Sequence, residues 1–497
     1  MPASFPFLIR ATFAFLVLFT PSAFADWPQF RGVNSAGISA ESSITVEFGP
    51  GKNELWSVDL APGHSSPCIV GDSIFLTSFV AESKQLAVLC IDRGNGSQRW
   101  RRHVTVEKLE KGHPSFNPAS SSPVSDGQRV VVYFGSYGLL CYDMQGDVLW
   151  ERRMPLTRSY AGNATSPIIT GDQVILYRGN LVDHFLLALD KHTGEERWKV
   201  EQSERFELEL ACTAVPIVHD GNLIVHSARS VQSFELETGA QIWEVKCATT
   251  ATSTPVLAGD QVVVAAWNKL GEPALGPELP GFEKLVAEHD ANADGKIGPK
   301  ELPRLMIFHR PDGAEAPQNG AAVRFGSADK NRDGVIVAKE WKQRLEEVAG
   351  FRASYKTHGI LSIPMKSSGL LASDQVTTLA TRNIPEVPSP LYHEGYLYFV
   401  KNGGVLTVID FEKSKVVSRM RTGGHGTHYA SPIIVGDKLI STAGDGTISV
   451  LSLGPKPKLL QVNTMDDSTF ATPAASNNVL YLRTHRKLYA FGTAAEK

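Results

Sequence analysis

The sequence has almost no excess charge of either sign and only one long apolar run. Its 49 Lys and Arg residues are balanced by 52 Asp and Glu residues, which gives a formal net charge of −3 over 497 residues. Such a balance provides no basic footprint for nucleic acid, so no nucleic-acid partner is predicted. Beyond the N-terminus, no stretch approaches the roughly 20 apolar residues of a membrane helix. The chain is therefore predicted not to span a membrane.

Cysteine is also scarce, with five residues at Cys68, Cys90, Cys141, Cys212 and Cys247. No two of them are adjacent, and none belongs to a C-x-x-C-H haem-attachment motif. The odd count leaves at least one thiol unpaired within the chain, even in an oxidising compartment. The pairing of Cys68, Cys212 and Cys247 is left open by the sequence.

The N-terminus has the order of a cleavable export signal. Arg10 is followed by the apolar run ATFAFLVLF and then by Ala23-Phe24-Ala25, directly before Asp26. The run is too short to cross a bilayer, and the PSAFAD stretch has no Cys to which a lipid could be attached. We therefore expect residues 1–25 to be removed and the protein to be exported, to the periplasm or the extracellular space.

An internal repeat dominates the rest of the sequence. Each unit has Ser-Pro or a close equivalent, two short apolar strands joined by a Gly-Asp or Asp-Gly turn, and a Gly turn that leads to Trp. Two examples are SSPCIVGDSIFL with CIDRGNGSQRW, and TSPIITGDQVILY with ALDKHTGEERW. Their alternation of polar and apolar residues predicts short antiparallel strands. The prolines that open the units lie at positions 67, 123, 167, 216, 255, 390, 432 and 473, which predicts eight units.

The length of the repeat predicts an all-β fold, an eight-bladed β-propeller with a small α-helical EF-hand insertion. Each unit has about 44 residues, within the roughly 40 to 50 of a four-stranded blade. We expect an N-terminal arm at 26–53, blades one to five from 54 to 267, an insertion at 268–355, and blades five to eight from 356 to 497. The strand at 54–60 should complete the last blade and close the ring.

Two of the cysteines have a place in this repeat. Cys90 and Cys141 occupy the slot that Ala188 and Ser233 fill in neighbouring units, a position for small residues on an inner strand. Facing sheets pack about 10 Å apart, whereas bridged Cα atoms lie within about 7 Å. Both residues are therefore predicted to be buried free thiols.

The insertion contains two EF-hand calcium loops, DANADGKIGPKE at 290–301 and DKNRDGVIVAKE at 329–340. Calcium takes six to eight oxygen ligands at about 2.3 to 2.6 Å, from positions 1, 3, 5, 7 and 12 of such a loop, and Gly at position 6 permits the turn. Two calcium sites are therefore predicted. The ligands would be Asp290, Asn292, Asp294, Lys296 and Glu301 in the first loop, and Asp329, Asn331, Asp333, Val335 and Glu340 in the second, with position 7 using its backbone carbonyl.

The surroundings of these loops support a paired module. Ile297 and Ile336 should form a β-bridge, and helices should flank both loops, although Pro303 removes a backbone bond after the first. Strands at 261–267 and 359–364 should pair where the chain leaves and re-enters its blade. Exported EF-hand modules bind calcium at roughly 10⁻⁴ to 10⁻³ M, which favours a structural clamp over a sensor.

The loops that lead into the innermost strands are polar, as in APGHSSP, RSYAGNATSP and GGHGTHYASP. In a propeller these loops gather at one end of the central channel, where a ligand can bind. The candidate ligand-binding residues are His64, Arg158, Asn163, Glu386, His425 and His428, with Asn117, Tyr160, Trp267, Lys401 and Asn402 nearby. Alternatively, these side chains cap strand ends and bind water. No catalytic residue is assigned.

The A/C-x-D-x-x-x-G-x-x-x-W unit and the opening WPQFRG at 27–32 resemble those of pyrroloquinoline-quinone-type β-propeller repeat proteins. Within that group the chain is most similar to the non-enzymatic branch related to the barrel-assembly propeller of the outer membrane. The resemblance covers nearly all of the mature chain except 268–355. It implies a binding or scaffold platform for a protein, peptide or glycan at the propeller face, and we expect a monomer.

A quinone-dependent oxidoreductase with a pocket in the channel is the alternative that the resemblance offers. Such enzymes use a vicinal Cys pair beside the quinone, a Trp platform below it, and a channel calcium held by Glu and Asn, with an Asp as base. The sequence has no adjacent cysteines, and its predicted calcium ligands lie in the insertion. Pyrroloquinoline quinone is therefore not expected as a cofactor.

Overall fold

The computed structural model describes residues 26–39, 43–203, 211–247, 249–268, 277–309, 320–353 and 358–493. The predicted export signal at 1–25 lies outside these residues. In the described part of the chain, no helix is both long and apolar enough to cross a membrane.

Eight antiparallel sheets, each built on four strands, account for the repeats. Strands β1 (Ile38–Ser39) and β2 (Glu54–Asp59) come first. Blade 1 consists of β3 (Cys68–Val70), β4 (Ser73–Val80), β5 (Gln85–Asp92) and β6 (Gln98–Thr105), and blade 2 of β7 (Val124–Ser125), β8 (Arg129–Phe134), β9 (Gly138–Asp143) and β10 (Val148–Arg153). Blade 3 consists of β11 (Ile168–Thr170), β12 (Gln173–Gly179), β13 (His184–Asp190) and β14 (Glu196–Glu201). Blade 4 consists of β15 (Ile217–His219), β16 (Asn222–His226), β17 (Ser230–Glu235) and β18 (Gln241–Lys246).

The insertion interrupts blade 5. Its elements are α1 (Phe282–His289), β21 (Met306–His309), β22 (Gly320–Ala322), α2 (Phe325–Ala328) and α3 (Ala338–Ala353), between β19 (Val256–Ala258) and β20 (Gln261–Ala266) on one side and β23 (Gly359–Pro364), β24 (Gly369–Leu370) and β25 (Thr377–Ala380) on the other. Blades 6 to 8 are β26 (Leu391–His393), β27 (Tyr396–Lys401), β28 (Val405–Asp410), β29 (Lys415–Arg421); β30 (Ile433–Val435), β31 (Lys438–Thr442), β32 (Thr447–Ser452), β33 (Leu459–Thr464); and β34 (Ala474–Ser476), β35 (Val479–Arg483), β36 (Lys487–Phe491).

The sheets form the predicted eight-bladed ring. The innermost strand of every blade begins directly after one of the eight prolines singled out in the sequence. Strand β2 pairs with β36 from Glu54↔Phe491 to Asp59↔Lys487, so the N-terminal strand completes the last blade as predicted. Because β2 is far from β36 in sequence, this pairing joins the N-terminal and C-terminal parts of the chain within one four-stranded blade.

A tryptophan on the outer strand joins each of five blades to the next. The indole Nε1 of Trp100 donates to the carbonyl of Met144 at 2.9 Å, and Trp56, Trp150, Trp198 and Trp243 make the same contact with the following blade. The Gly in each turn lies against the indole of the preceding blade. At Gly96, with φ of +74°, a Cβ would lie 2.5 Å from the Trp56 ring. The G-x-x-x-W spacing thus encodes blade stacking.

The insertion leaves the propeller between neighbouring strands of blade 5. Strands β20 and β23 pair from Gln261↔Pro364 to Ala266↔Gly359, which confirms the predicted pairing. Ile297 and Ile336 form the predicted bridge, with N–H to carbonyl distances of 3.1 and 2.8 Å. The expected helix after the first loop does not form; Pro303 lies where it would begin, and the chain continues into β21.

All five cysteines are buried, and none of them forms a disulfide. The prediction of buried thiols at Cys90 and Cys141 is therefore confirmed. The pairing of Cys68, Cys212 and Cys247 that the sequence left open is answered in the same way, because no disulfide joins them. Burial raises the pKa of the Cys212 thiol to about 12, which keeps it protonated and unreactive.

Candidate functional site

A ring of hydroxyl groups surrounds the propeller axis. In seven blades the residue before the opening proline is Ser or Thr, and its oxygen accepts the backbone N–H of the equivalent residue in the preceding blade. The seven N···O distances are 2.9 or 3.0 Å. The ring residues are Ser66, Ser122, Ser166, Thr254, Ser389, Ser431 and Thr472. In blade 4 the same place is taken by Val215, which has no hydroxyl.

The ring borders a cavity of about 440 Å³ in the channel, on the side of the loops that lead into the innermost strands. That volume lies within the range of small-molecule sites. Six ring residues line it, all except Thr254, together with Val215. Aromatic side chains form much of the remaining wall: Phe30, Phe116, Tyr160, Trp267, Tyr429 and Phe470. The charged or titratable side chains in the wall are His64, His113, Arg229 and Glu386.

The N-terminal arm crosses the channel below this cavity. Trp27 forms a β-bridge with Ile69 of blade 1, and the carbonyl of Pro28 accepts the N–H of Ser125 in blade 2 at 2.9 Å. Asn34 accepts the N–H of Val218 in blade 4 at 3.0 Å, and β1 pairs in parallel with β30 of blade 7. The arm thus spans the ring, and Phe30 projects from it into the cavity wall.

Two fully buried arginines stand directly behind the hydroxyl ring. Nη2 of Arg31, on the arm, donates to the carbonyl of Pro390 at 2.6 Å, next to Ser389 of the ring. Nη1 of Arg483 donates to the hydroxyl of Ser65 at 2.6 Å, next to Ser66 of the ring. Burial lowers the pKa of each guanidinium to about 9, so both remain charged at neutral pH.

These arginines are incompletely paired. Nε and Nη1 of Arg31, and Nε and Nη2 of Arg483, have no hydrogen-bond partner within the described residues. Neither guanidinium forms an ion pair with a carboxylate in that part of the chain. An uncompensated buried charge is costly. Neither arginine lines the cavity, but both place positive charge beside ring residues that do, Ser389 and Ser66.

His64 lies in the cavity wall beside Arg483. Its ring packs 4.7 Å from that of Phe470 and 5.6 Å from that of His485, between centroids. Burial, and then the charges of Arg483 and His485, lower the pKa of His64 to about 3. The imidazole is therefore neutral at physiological pH. Its Nε2 has no partner in the described structure.

A second polar group lies on the opposite wall. Glu386 accepts a hydrogen bond from Nδ2 of Asn402 at 3.0 Å, and Asn402 in turn accepts the backbone N–H of His428 at 2.7 Å. Desolvation lowers the pKa of His428, so its buried ring is neutral as well. Asn402 thus orients the carboxylate of Glu386. The backbone carbonyl of Glu386 accepts a hydrogen bond from the hydroxyl of Thr252.

Two of the six candidate residues, His64 and Glu386, line the cavity. Arg158 and His425 are exposed, whereas Asn163 and His428 are buried; all four lie outside the cavity wall. Of the nearby candidates, Tyr160 and Trp267 reach the wall. The sequence analysis missed the hydroxyl ring, although its signal is visible as a Ser or Thr before most of the opening prolines.

A buried carboxyl that the sequence did not single out lies between blades 2 and 3. Glu110 accepts the hydroxyl of Thr157, and its Oε1 has no partner among the described residues. Burial raises the pKa of Glu110 to about 7, against the opposing effects of Thr157 and Arg178. This group therefore titrates near neutral pH.

The two predicted calcium loops have the same internal geometry. Gly295 and Gly334, at position 6, donate their N–H groups to Asp290 and Asp329 at 2.8 and 3.0 Å. Glu301 and Glu340, at position 12, each accept backbone N–H groups from both ends of their loop. Oδ1 of Asp329 is buried and has no partner within the described residues. Each loop is thus closed by hydrogen bonds around the residues predicted to bind calcium.

No cluster of three or more His, Cys, Asp or Glu side chains in the described residues is arranged to hold a metal ion. Each predicted calcium loop has three acidic side chains, at positions 1, 5 and 12, with an Asn and a backbone carbonyl at positions 3 and 7. The two calcium sites stay a prediction.

Comparison with known proteins agrees with this fold. A model of the family described as outer membrane protein assembly factor BamB matches residues 40–272, just under half of the chain. No curated protein matches the sequence. Together with the eight-bladed ring, the match supports a propeller of the pyrroloquinoline-quinone repeat type.

Three solved structures are similar in fold. A europium-containing methanol dehydrogenase is 10% identical with a TM-score of 0.56, over 94% of this chain and 98% of that one. The quinohemoprotein alcohol dehydrogenase of Comamonas testosteroni is 12% identical with a TM-score of 0.55, over 95% and 81%. BamB of Moraxella catarrhalis is 10% identical with a TM-score of 0.49, over 89% and 99%. At these identities the likeness shows the fold alone.

Proposed function

We propose that this chain is an exported binding propeller whose channel cavity takes an oxygen-rich small molecule of the saccharide class. The observation that carries the proposal is the composition of the cavity wall, which contains both aromatic side chains and hydroxyl groups. A cavity of about 440 Å³ encloses a small ligand or the end of a glycan, rather than a folded protein. The protein would then belong to the non-enzymatic branch of its propeller type.

The chemistry of the wall suits a sugar. The C–H faces of a sugar ring pack on aromatic surfaces such as Trp267, Tyr429 and Phe470, while its hydroxyls exchange hydrogen bonds with Ser and Thr side chains. Charged groups are few, and His64 is neutral. Glu386 and Asn268 provide the carboxylate and amide that fix orientation in such sites.

Tyr160 provides the test, because it lines the cavity while 48% exposed. Binding of mono- and disaccharides to the purified protein should be measured by calorimetry and by tryptophan fluorescence. Tyr160→Ala should weaken binding about two- to tenfold, the range expected for an aromatic contact of 0.5 to 1.5 kcal/mol. Leu149→Ala is the matched control, since Leu149 is 47% exposed on β10, outside the cavity. An absence of saccharide binding by the native protein, or equal effects of both replacements, would refute the proposal.

The insertion would bind two calcium ions through the predicted ligands. Supporting this are the matching closure of both loops and the buried, unpartnered Oδ1 of Asp329. Bound calcium would supply positive charge to the carboxylates and fix the loops, since acidic side chains crowded together repel one another without it. Calorimetric titration with calcium should give two sites, and Asp329→Asn with Asp290→Asn should abolish both.

Quinone-dependent oxidation is the second candidate, because Trp267 and Glu386 line one cavity and Asn402 donates to Glu386. These are the residue types that the resemblance associates with a quinone site. The cysteines do not fit, because all five are buried and none is adjacent to another. Incubation with calcium and pyrroloquinoline quinone, followed by a search for a bound chromophore and for dye reduction with alcohols or sugars, separates the two. A chromophore with turnover would replace the binding proposal.

A further inference from the structure

The hydroxyl protons of the ring are hydrogen-bond donors that the described residues do not use. Each ring oxygen already accepts a backbone N–H from the neighbouring blade. Among the described residues, none of the seven hydroxyls donates its proton to a protein acceptor. A hydroxyl that accepts from one side retains a donor on the other. Six of these donors border the same cavity, around one axis.

Two buried positive charges lie beside the ring. Arg31 and Arg483 are 0% and 1% exposed, and their contacts place them beside the ring residues Ser389 and Ser66. Each retains N–H groups without a partner in the described structure. Because charges interact more strongly in a low-dielectric interior than in water, the two guanidiniums favour negative charge at the ring.

We propose that the hydroxyl ring is a subsite for an anionic oxygen group of the ligand: a carboxylate, sulfate or phosphate. Such a group accepts several hydrogen bonds at once and would offset the buried charges of Arg31 and Arg483. The proposal rests on the proposed function and narrows it to acidic saccharides. Glu386 is a nearby carboxylate that would repel an anion. Its hydrogen bond from Asn402 holds it in the side wall.

Comparison of a neutral and an acidic sugar tests the subsite directly. Calorimetry should compare glucose with glucuronate, and methyl glucoside with its 6-sulfate. Sodium sulfate, phosphate and acetate, added alone, show whether the anion binds without a sugar. We expect each acidic sugar to bind at least about tenfold more tightly than its neutral counterpart, as for charge-assisted hydrogen bonds of 1.5 to 3 kcal/mol. Equal affinities would overturn the proposal.

The gap in the ring provides a gain-of-function variant. Val215→Thr is close in shape and adds the missing hydroxyl, which would accept the N–H of Ser166 by the ring pattern and donate into the cavity. It should strengthen binding of the acidic sugars about two- to tenfold and leave neutral sugars unchanged. A gain cannot arise from misfolding. An unchanged preference for acidic sugars would count against donation by the ring.

Loss-of-function variants complete the test. Ser389→Ala and Ser431→Ala should each reduce the preference for acidic sugars about tenfold. Ser120→Ala is the matched control, because Ser120 also lines the cavity but its hydroxyl already donates to the carbonyl of Asn117 at 2.7 Å. Because each ring variant also removes the acceptor of a backbone N–H, thermal melting of the free proteins should be recorded alongside.

The outcomes separate this inference from the proposed function. If neutral and acidic sugars bind equally well, the saccharide proposal stands and the subsite fails. If inorganic anions bind in a Val215-dependent and Ser389-dependent way but no sugar does, the subsite stands and the saccharide class fails. If glucuronate and the 6-sulfate bind tightly while inorganic anions bind weakly, both proposals are supported, because aromatic wall and ring then act on one ligand.

Discussion

The propeller and the insertion obtain their stability in different ways. Every blade shares an apolar core with its neighbours, as between blades 1 and 2 around Phe75 and Val132, and between blades 7, 8 and 1 around Ile440 and Leu482. The insertion has a separate small core around Leu285, built entirely from its own residues. The ring is thus stabilised by contacts between distant parts of the chain, whereas the insertion depends on local contacts and, as proposed, on calcium.

The two regions meet at the cavity. Trp267 and Asn268, which lie where the chain passes from blade 5 into the insertion, line its wall. The backbone N–H of Asn268 donates to Nδ1 of His358, the first described residue after the insertion, at 3.3 Å. Burial lowers the pKa of His358 to about 4, so this ring is a neutral acceptor at physiological pH. This hydrogen bond joins the two points of the chain at which the insertion leaves and re-enters the propeller.

Replacing one buried tryptophan in each region should show most clearly whether the propeller and the insertion unfold independently. Trp243 and Trp341 are both 0% exposed, and their Nε1 atoms donate to the carbonyls of Met365 and Pro280. Trp243→Ala should lower the free energy of unfolding of the propeller by roughly 3 to 5 kcal/mol, measured in urea by β-sheet circular dichroism. Trp341→Ala should remove helical signal and leave that transition unchanged. An equal shift of the propeller transition would show one cooperative unit.

The repeat made the ring predictable, because the same local pattern appears many times. The opening prolines locate all eight innermost strands, and the Trp spacing encodes contact between neighbours. The hydroxyl ring was equally visible in sequence, but its role depends on contacts between residues as far apart as Thr472 and Ser66. Only the closed ring brings these residues together.

The cavity residues were less predictable. Arg158 and His425 lie in the polar loops that sequence reasoning chose, yet loop conformation turns both to solvent. Arg483 ends an apolar strand, where no periodicity distinguishes a buried charge from an exposed one. The EF-hand loops were identified easily because their spacing reflects ligand geometry within twelve residues. The missing helix after the first loop shows how one residue, Pro303, overrides that pattern.

Glu110 should make the stability of the propeller depend on pH near neutrality. Its pKa is raised to about 7 in the folded state, from an unfolded value near 4.3. Between these values the folded state holds a proton that the unfolded state has lost, so stability is highest at the acidic end and falls as pH rises. The loss should reach about 4 kcal/mol above pH 7.

Glu110→Gln removes the titration while keeping the acceptor for Thr157. Urea unfolding from pH 5 to 8 should therefore show a smaller decline in the variant than in the native protein. Glu151→Gln is the control, since Glu151 is a partly exposed acceptor of the Tyr137 hydroxyl, at 2.7 Å, on the neighbouring strand β10. Parallel declines in the Glu110→Gln variant and the native protein would show that Glu110 is not the titrating group.

Removing calcium should have the smallest effect and define the boundary between the regions. With dissociation constants near 10⁻⁴ M, 1 mM calcium stabilises a site by about 1.4 kcal/mol. Chelation should therefore expose α1 and α3 to proteolysis while β-sheet circular dichroism stays constant. Because the hydrogen bond from Asn268 to His358 ties the two ends of the insertion together beside the cavity, saccharide affinity should change less than about twofold. A larger change would mean that calcium acts on the pocket through Trp267 and Asn268, making the insertion a regulator of binding.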